Sequence, residues 1–182
     1  KRNRSRKVNQ LFRELPRFTK PVICAIEGYA LGGGLELAML GDLIVLGANA
    51  KLGLPEVKLG LMPGGGGTQT LPRLIGPQLA KELIWTGRRI SAQEAKEYRL
   101  ANRVVEAGKA MEEARELARQ ISRSAPLSVM LTKAAIGRGA DLPLEEGMAV
   151  ESDVSFMLYF SNDRREGLSA FREKREANFK GE

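Results

Sequence analysis

Histidine is absent from this 182-residue chain, cysteine occurs once, and aromatic residues make up only 5%. Without histidine there is no Ser-His-Asp or Cys-His catalysis, no histidine acid-base pair and no His-ligated zinc. One thiol, Cys24, can neither close an internal disulfide nor build a thiolate cluster, so a reducing compartment is expected. Lying in the apolar run Val22-Ile23-Cys24-Ala25-Ile26, it reads as a buried structural residue. Proton transfer must then use carboxylates, lysine, tyrosine or ordered water. No run approaches the roughly 18 apolar residues of a membrane span, so no membrane association is expected. The first residues carry no signal-peptide core and no initiating Met, so the chain is expected to follow a missing or processed segment.

What is present is ordinary globular composition, 43% hydrophobic and 28% charged, sized for one domain. The net charge of +7 is uneven. Five basic residues and no acid fall in Lys1-Arg2-Asn3-Arg4-Ser5-Arg6-Lys7. This stretch reads as a solvated arm, and its lack of interleaved aromatics disfavours a dedicated nucleic-acid role.

Periodicity supplies the elements. Val8, Leu11, Phe12 and Leu15 share a helical face ahead of Pro16. Pro21–Ile26 and Leu43–Leu46 read as buried strands, with Gly28 and Gly32-Gly33-Gly34 between them and a helix from Leu35. A glycine-rich loop spans Gly53–Gly67, and helical spacing runs from Thr68 to Trp85 with a break at Gly76-Pro77. Ser91-Ala92-Gln93-Glu94 is a capping-box pattern opening a helix to Tyr98, and Val104-Val105 is a short strand candidate. Helices are expected around 111–121, from Pro126 to near Gly137 or Gly139, over Leu144–Leu158, and from Arg164 to about Asn178. No internal repeat is visible. The class is α/β followed by an all-helical part, with residues 1–7 as arm, 8–110 as core and 111–182 as helical region.

Two glycine loops each adjoin a glutamate. Glycines ahead of a helix let a ligand approach orphan N–H donors, a setting that suits an oxyanion or phosphate. Glu36 falls in the first turn of that helix, and Glu56 follows Pro55 at the mouth of the second loop. Gly28-Tyr29-Ala30-Leu31-Gly32-Gly33 does not read as G-x-G-x-x-G, and the Pro63–Gly67 run lacks a Gly-Lys-Ser/Thr ending. Dinucleotide and P-loop sites are therefore poorly supported. Each glutamate alone reads as a helix-dipole or solvated residue; as a pair they are placed to share one water.

These segments resemble the crotonase (enoyl-CoA hydratase/isomerase) family. The likeness is carried by Lys20–Ile23, Gly28–Ala38, Asp42, Pro55-Glu56, Gly60–Gln69, Thr86–Ala92, Asp163–Gly167 and Phe171–Arg175, in order. It implies a ββα-repeat spiral core followed by a helical trimerisation region, with the fold's first strands and second oxyanion amide lying ahead of this chain. It also implies hydration of a 2-enoyl-CoA to a 3-hydroxyacyl-CoA. Glu36 then matches the carboxylate that takes a proton from water, and Glu56 the one that gives a proton to Cα. Gly33 matches an oxyanion N–H, Gly64 a backbone position that helps hold the water and Glu56, and Phe171 with Lys174 the CoA contacts. No cofactor is implied beyond the CoA of the substrate. A homotrimer or hexamer is expected, in a bacterial cytoplasm or, in a eukaryote, the mitochondrial matrix. Two alternatives stand beside this reading. One is a methylglutaconyl-CoA-type hydratase with RNA-binding side activity, and the other a non-catalytic scaffold or RNA-binding subunit.

Overall fold

The computed structural model describes residues 10–182, so the basic arm expected over residues 1–7 lies outside the described residues. The chain forms two compact units, one of residues 10–18 with Val22–Glu116, the other of Thr19–Pro21 with Leu117–Glu182.

In the first unit, helical residues 10–14 (α1) lead through a tight turn at Leu15–Arg17. A ββα pattern then runs twice. β1 (Ile23–Ile26), β2 (Tyr29–Leu31) and α2 (Gly33–Ala38) are followed by β3 (Leu43–Gly47), β4 (Lys51–Gly53) and α3 (Gly67–Ile75). The first strand of each repeat enters one sheet, ordered β1-β3-β6 with β6 at Arg103–Val105; the second enters another, β2-β4-β5, with β5 at Ile90–Ser91. Parallel register pairs Ile23 with Leu43 and Ile26 with Leu46 in one, and Tyr29 with Lys51 in the other. Parallel neighbours need a crossover, which α2 supplies. The corner between β1 and β2 is sharp because Gly28 takes φ +66°, and the Gly28 carbonyl accepts the Lys51 amide at 2.7 Å. The repeat escapes the sequence because it is geometric. Strands of two or three residues, as in β2, β4 and β5, are too short to show a period, and residues 28–34 read instead as one loop.

The core lies under β3, where Val45 and Leu46 are fully buried, and gathers Leu35, Leu52, Leu54, Leu71, Leu83 and Ile90. Cys24 is half-buried rather than buried. Desolvation, and secondarily Asp42, pushes its thiol up, disfavouring the reactive thiolate. Glu27 reaches from the β1–β2 corner to the start of α6 (Ala110–Ser122), accepting the Ala110 amide at 2.9 Å. That amide, followed by Gly108, holds the carboxyl below its usual range.

The helix after α3, α4 (Pro77–Thr86), opens on proline as its sequence requires. α5 (Ala92–Glu97) carries the expected capping box: the Glu94 amide donates to Ser91 Oγ at 3.2 Å and the Ser91 amide to Glu94 Oε2 at 2.8 Å. Arg88 adds an ion pair to Glu94 at 2.8 Å. Chiefly the Ser91 amide, then Arg88, lowers the Glu94 carboxyl to about 2. A folded-state value below the unfolded one stabilises above the unfolded value and is lost as pH falls toward the folded one. Glu94→Ala is accordingly expected to lower the thermal midpoint by about 2–4 °C at pH 7. The gap should shrink between the ordinary carboxylate range and pH 2, and thermal melts across that window check it.

In the second unit, α7 (Pro126–Gly139) and α8 (Leu144–Tyr159) form a hairpin. Their backbones meet at two glycines, where a Cβ on Gly139 would stand 3.5 Å from Gly147 Cα. α9 (Asn162–Glu173) is capped by Ser161 Oγ, which accepts the Arg164 amide at 3.1 Å. It ends earlier than the sequence predicts, because Lys174 reverses the chain at φ 55° and the tail folds back. The border between units runs through α6.

Candidate active site

The site is built around the first turn of α2. Gly32, at φ +57°, donates its amide to the Gly53 carbonyl at 2.9 Å, tying the helix start to β4. Its own carbonyl accepts the Leu35 and Glu36 amides at 2.9 and 3.0 Å. Gly33 and Gly34 head the helix, where amides lack intrahelical acceptors, and a Cβ on either would meet nothing within 4 Å.

Glu36 projects from this turn into the protein and is only 4% exposed. Burial of a carboxylate needs donors, and two backbone amides supply them: Gly65 at 2.7 Å and Gly67 at 2.8 Å, both to Oε1. The second oxygen, Oε2, lies 2.8 Å from where a Cβ on Gly65 would stand. The Phe12 ring converges on the same point, with Cε1 at 2.6 Å. A side chain at position 65 would strike both, so this glycine is a matter of space.

Glu56 begins the short turn Glu56–Leu59 after Pro55. Its Oε1 lies 3.1 Å from where a Cβ on Gly32 would stand, which brings it against the cap of α2. Its Oε2 is buried and has no hydrogen-bond partner among the described residues. Such an atom in a native protein calls for a partner such as water or ligand. Gly64 faces open space, with nothing within 4 Å of a Cβ built on it.

The start of α2 thus gathers Gly33, Glu36 and Glu56, and the Pro63–Gly67 loop reaches it through Gly65 and Gly67. Phe171 and Lys174 belong to the second unit. Phe171 is 83% exposed. Sequence reasoning missed the Gly65 and Gly67 amides and the Phe12 wall. The glycine run was a signal for close approach, but which carboxylate would approach it was not written there. Among the described residues, no group of three or more His, Cys, Asp or Glu could hold a metal ion. No described helix is long and apolar enough to cross a membrane.

A family model described as enoyl-CoA hydratase/isomerase matches residues 1–182. The chain belongs to the enoyl-CoA hydratase/isomerase family. It is similar to a crotonyl-CoA hydratase of Syntrophomonas wolfei, 44% identical over 170 residues, covering 93% of this chain and 65% of that protein. It is also similar to enoyl-CoA hydratase domain-containing protein 2, mitochondrial, of Homo sapiens, 48% identical over 179 residues, covering 94% of this chain and 60% of the relative. The crystal structure of an enoyl-CoA hydratase from Bacillus anthracis superposes with a TM-score of 0.94 at 46% identity, covering 96% of this chain and 68% of that one. The chain therefore has the crotonase architecture, α/β with a helical C-terminal region, and spans roughly two thirds of the length of these family members.

Proposed function

We propose that the protein to which this chain belongs adds water across the 2,3-double bond of a 2-enoyl-CoA, giving a 3-hydroxyacyl-CoA. The observation that carries the proposal is the pair of carboxylates at one helix start: Glu36 fixed by two amides, and Glu56 with a buried oxygen that lacks a partner. Relatives named crotonyl-CoA hydratase, 2,3-dehydroadipyl-CoA hydratase and short-chain-enoyl-CoA hydratase support it.

In this reading Glu36 removes a proton from water as its oxygen bonds to C3. The π electrons move toward the thioester, whose oxygen gathers negative charge against the Gly33 amide. Glu56 then delivers a proton to Cα, and the carbonyl re-forms. One oxyanion donor is typically worth about 3–4 kcal/mol in such a site. Gly64 assists through its backbone in holding the water and Glu56, and Phe171 and Lys174 contact CoA. No cofactor is required besides the CoA carried by the substrate.

Assembly as a homotrimer or hexamer is part of the proposal. Ile136, Leu144, Met148, Phe156 and Phe160 are all more than half exposed in the second unit, apolar surface of the kind that subunit contacts cover. The proposed compartment is bacterial cytoplasm or mitochondrial matrix, since the matched relatives include bacterial proteins and proteins named mitochondrial. Loss of the enone absorbance of crotonyl-CoA tests the activity in the full natural polypeptide. Saturable turnover is expected. Tight CoA-ester binding without turnover of crotonyl-CoA or a dicarboxylic enoyl-CoA would sink the hydration reading.

A further inference from the structure

The tail that follows α9 is held in a way the hydration chemistry does not use. Lys174 sits in the left-handed region, its amide donating to the Phe171 carbonyl at 3.3 Å, and the Arg175 amide donates to Ala170 at 3.0 Å. Those two bonds form the helix-ending turn and hold its left-handed residue locally, in a conformation that costs a lysine some strain. Two carboxylates on the first turns of α9 add a second hold by anchoring the tail beyond it. Asp163, 3% exposed, accepts the Lys180 amide at 2.7 Å and the Gly181 amide at 2.8 Å, while its own amide donates to the Glu182 carbonyl at 3.0 Å. Glu166 accepts a fork from Arg175 at 2.6 and 3.0 Å and the Asn178 amide at 2.8 Å. A surface cleft of about 540 Å³ is lined by these groups.

The fork also settles which cation of the turn is available. Arg175 is engaged by Glu166 and, at 2.7 Å, by Glu173. The Lys174 ammonium has no carboxylate within ion-pair distance among the described residues, on a backbone fixed from both sides. A lysine bound to phosphate acts as a point charge, and its affinity depends on how much freedom it loses on binding.

We propose that Asp163 and Glu166 are positioning residues for the nucleotide end of CoA. By clamping the tail they fix the reversal at Lys174, and so hold its ammonium ready for a CoA phosphate. The inference rests on the proposed reading of Lys174 as a CoA contact. It makes the two carboxylates determinants of affinity for the phosphorylated carrier, with no part in the proton transfers.

The test compares crotonyl-CoA with S-crotonyl-pantetheine, which keeps the thioester but lacks the nucleotide and its phosphates, in the full natural polypeptide. Glu166→Gln and Asp163→Asn are each expected to raise KM for crotonyl-CoA about tenfold at unchanged kcat. Their kinetics on the pantetheine ester should stay within about twofold of the parent. Lys174→Ala should raise KM for crotonyl-CoA, and adding Glu166→Gln to it should give no further rise. Equal losses on both esters, or a double variant whose effects multiply, would overturn the positioning role. A Lys174→Ala variant with unchanged KM would instead remove the Lys174 assignment, which is a separate failure. If Glu166→Gln or Asp163→Asn unfolds α9 by circular dichroism, Arg175→Lys breaks the fork while keeping the charge and gives the same readout.

Discussion

Glu56→Gln is expected to lower kcat for crotonyl-CoA hydration about a thousandfold, within the range of one lost general acid-base group. The swap preserves size and leaves the packing against Gly32 in place, but an amide cannot deliver a proton. KM should change little, because Glu56 has no part in the proposed CoA contacts. Glu36→Gln should show a loss of similar size, since its amide oxygen can still accept from Gly65 and Gly67 while its basicity is gone. Glu36→Ala separates structure from chemistry. It strands the half-buried Gly65 amide and the buried Gly67 amide, at about 1–3 kcal/mol for an unsatisfied buried group, and should therefore lower the melting temperature where the Gln variant does not. Steady-state rates and melts on the three variants check this. Retention of more than about a tenth of the parent kcat by either Gln variant would remove that residue from the proton transfers.

The second large effect is expected from Gly67→Ala. The added Cβ would stand 2.9 Å from Leu54 Cδ1, 3.0 Å from Glu36 Oε1 and 3.0 Å from Pro63 Cβ. Leu54 is 1% exposed and cannot swing aside, so the loop or the carboxylate must move. Displacement of a catalytic group by about 1 Å commonly costs a hundredfold in rate, and overpacking a core adds about 1–3 kcal/mol of destabilisation. Gly137→Ala is the matched comparison without crowding, because its Cβ meets nothing within 4 Å. If Gly67→Ala kept full activity and stability, Glu36 would not depend on this loop for its position.

Much of this was legible from residue order. The α5 capping box, proline at the start of α4 and α7, and the β3 run are local signals, and local hydrogen bonding or burial decides them. The end of α9 was not legible, because Asp163 and Glu166 act on amides 12 to 18 residues away. The same limit hid the Glu36 clamp. Its partners lie 29 and 31 residues further on and contribute only main chain, so their glycines mark a close approach without naming the carboxylate that makes it. The two glutamates themselves were legible because a histidine-free chain leaves few groups for proton transfer and both stand beside glycine loops. The family resemblance supplied their roles, which spacing alone did not.

A carboxylate held by peptide groups has a genetic consequence. Neither N–H that grips Glu36 is encoded by a choice of side chain, and only proline would delete one outright. A saturation library at positions 65 and 67 would then retain glycine and lose larger residues whatever their charge or polarity, because a Cβ at either position would stand 3.0 Å or less from its neighbours. The grip on Glu36 would be inherited through the path of the loop, and the letters along that path are open to drift only where an added Cβ finds open space.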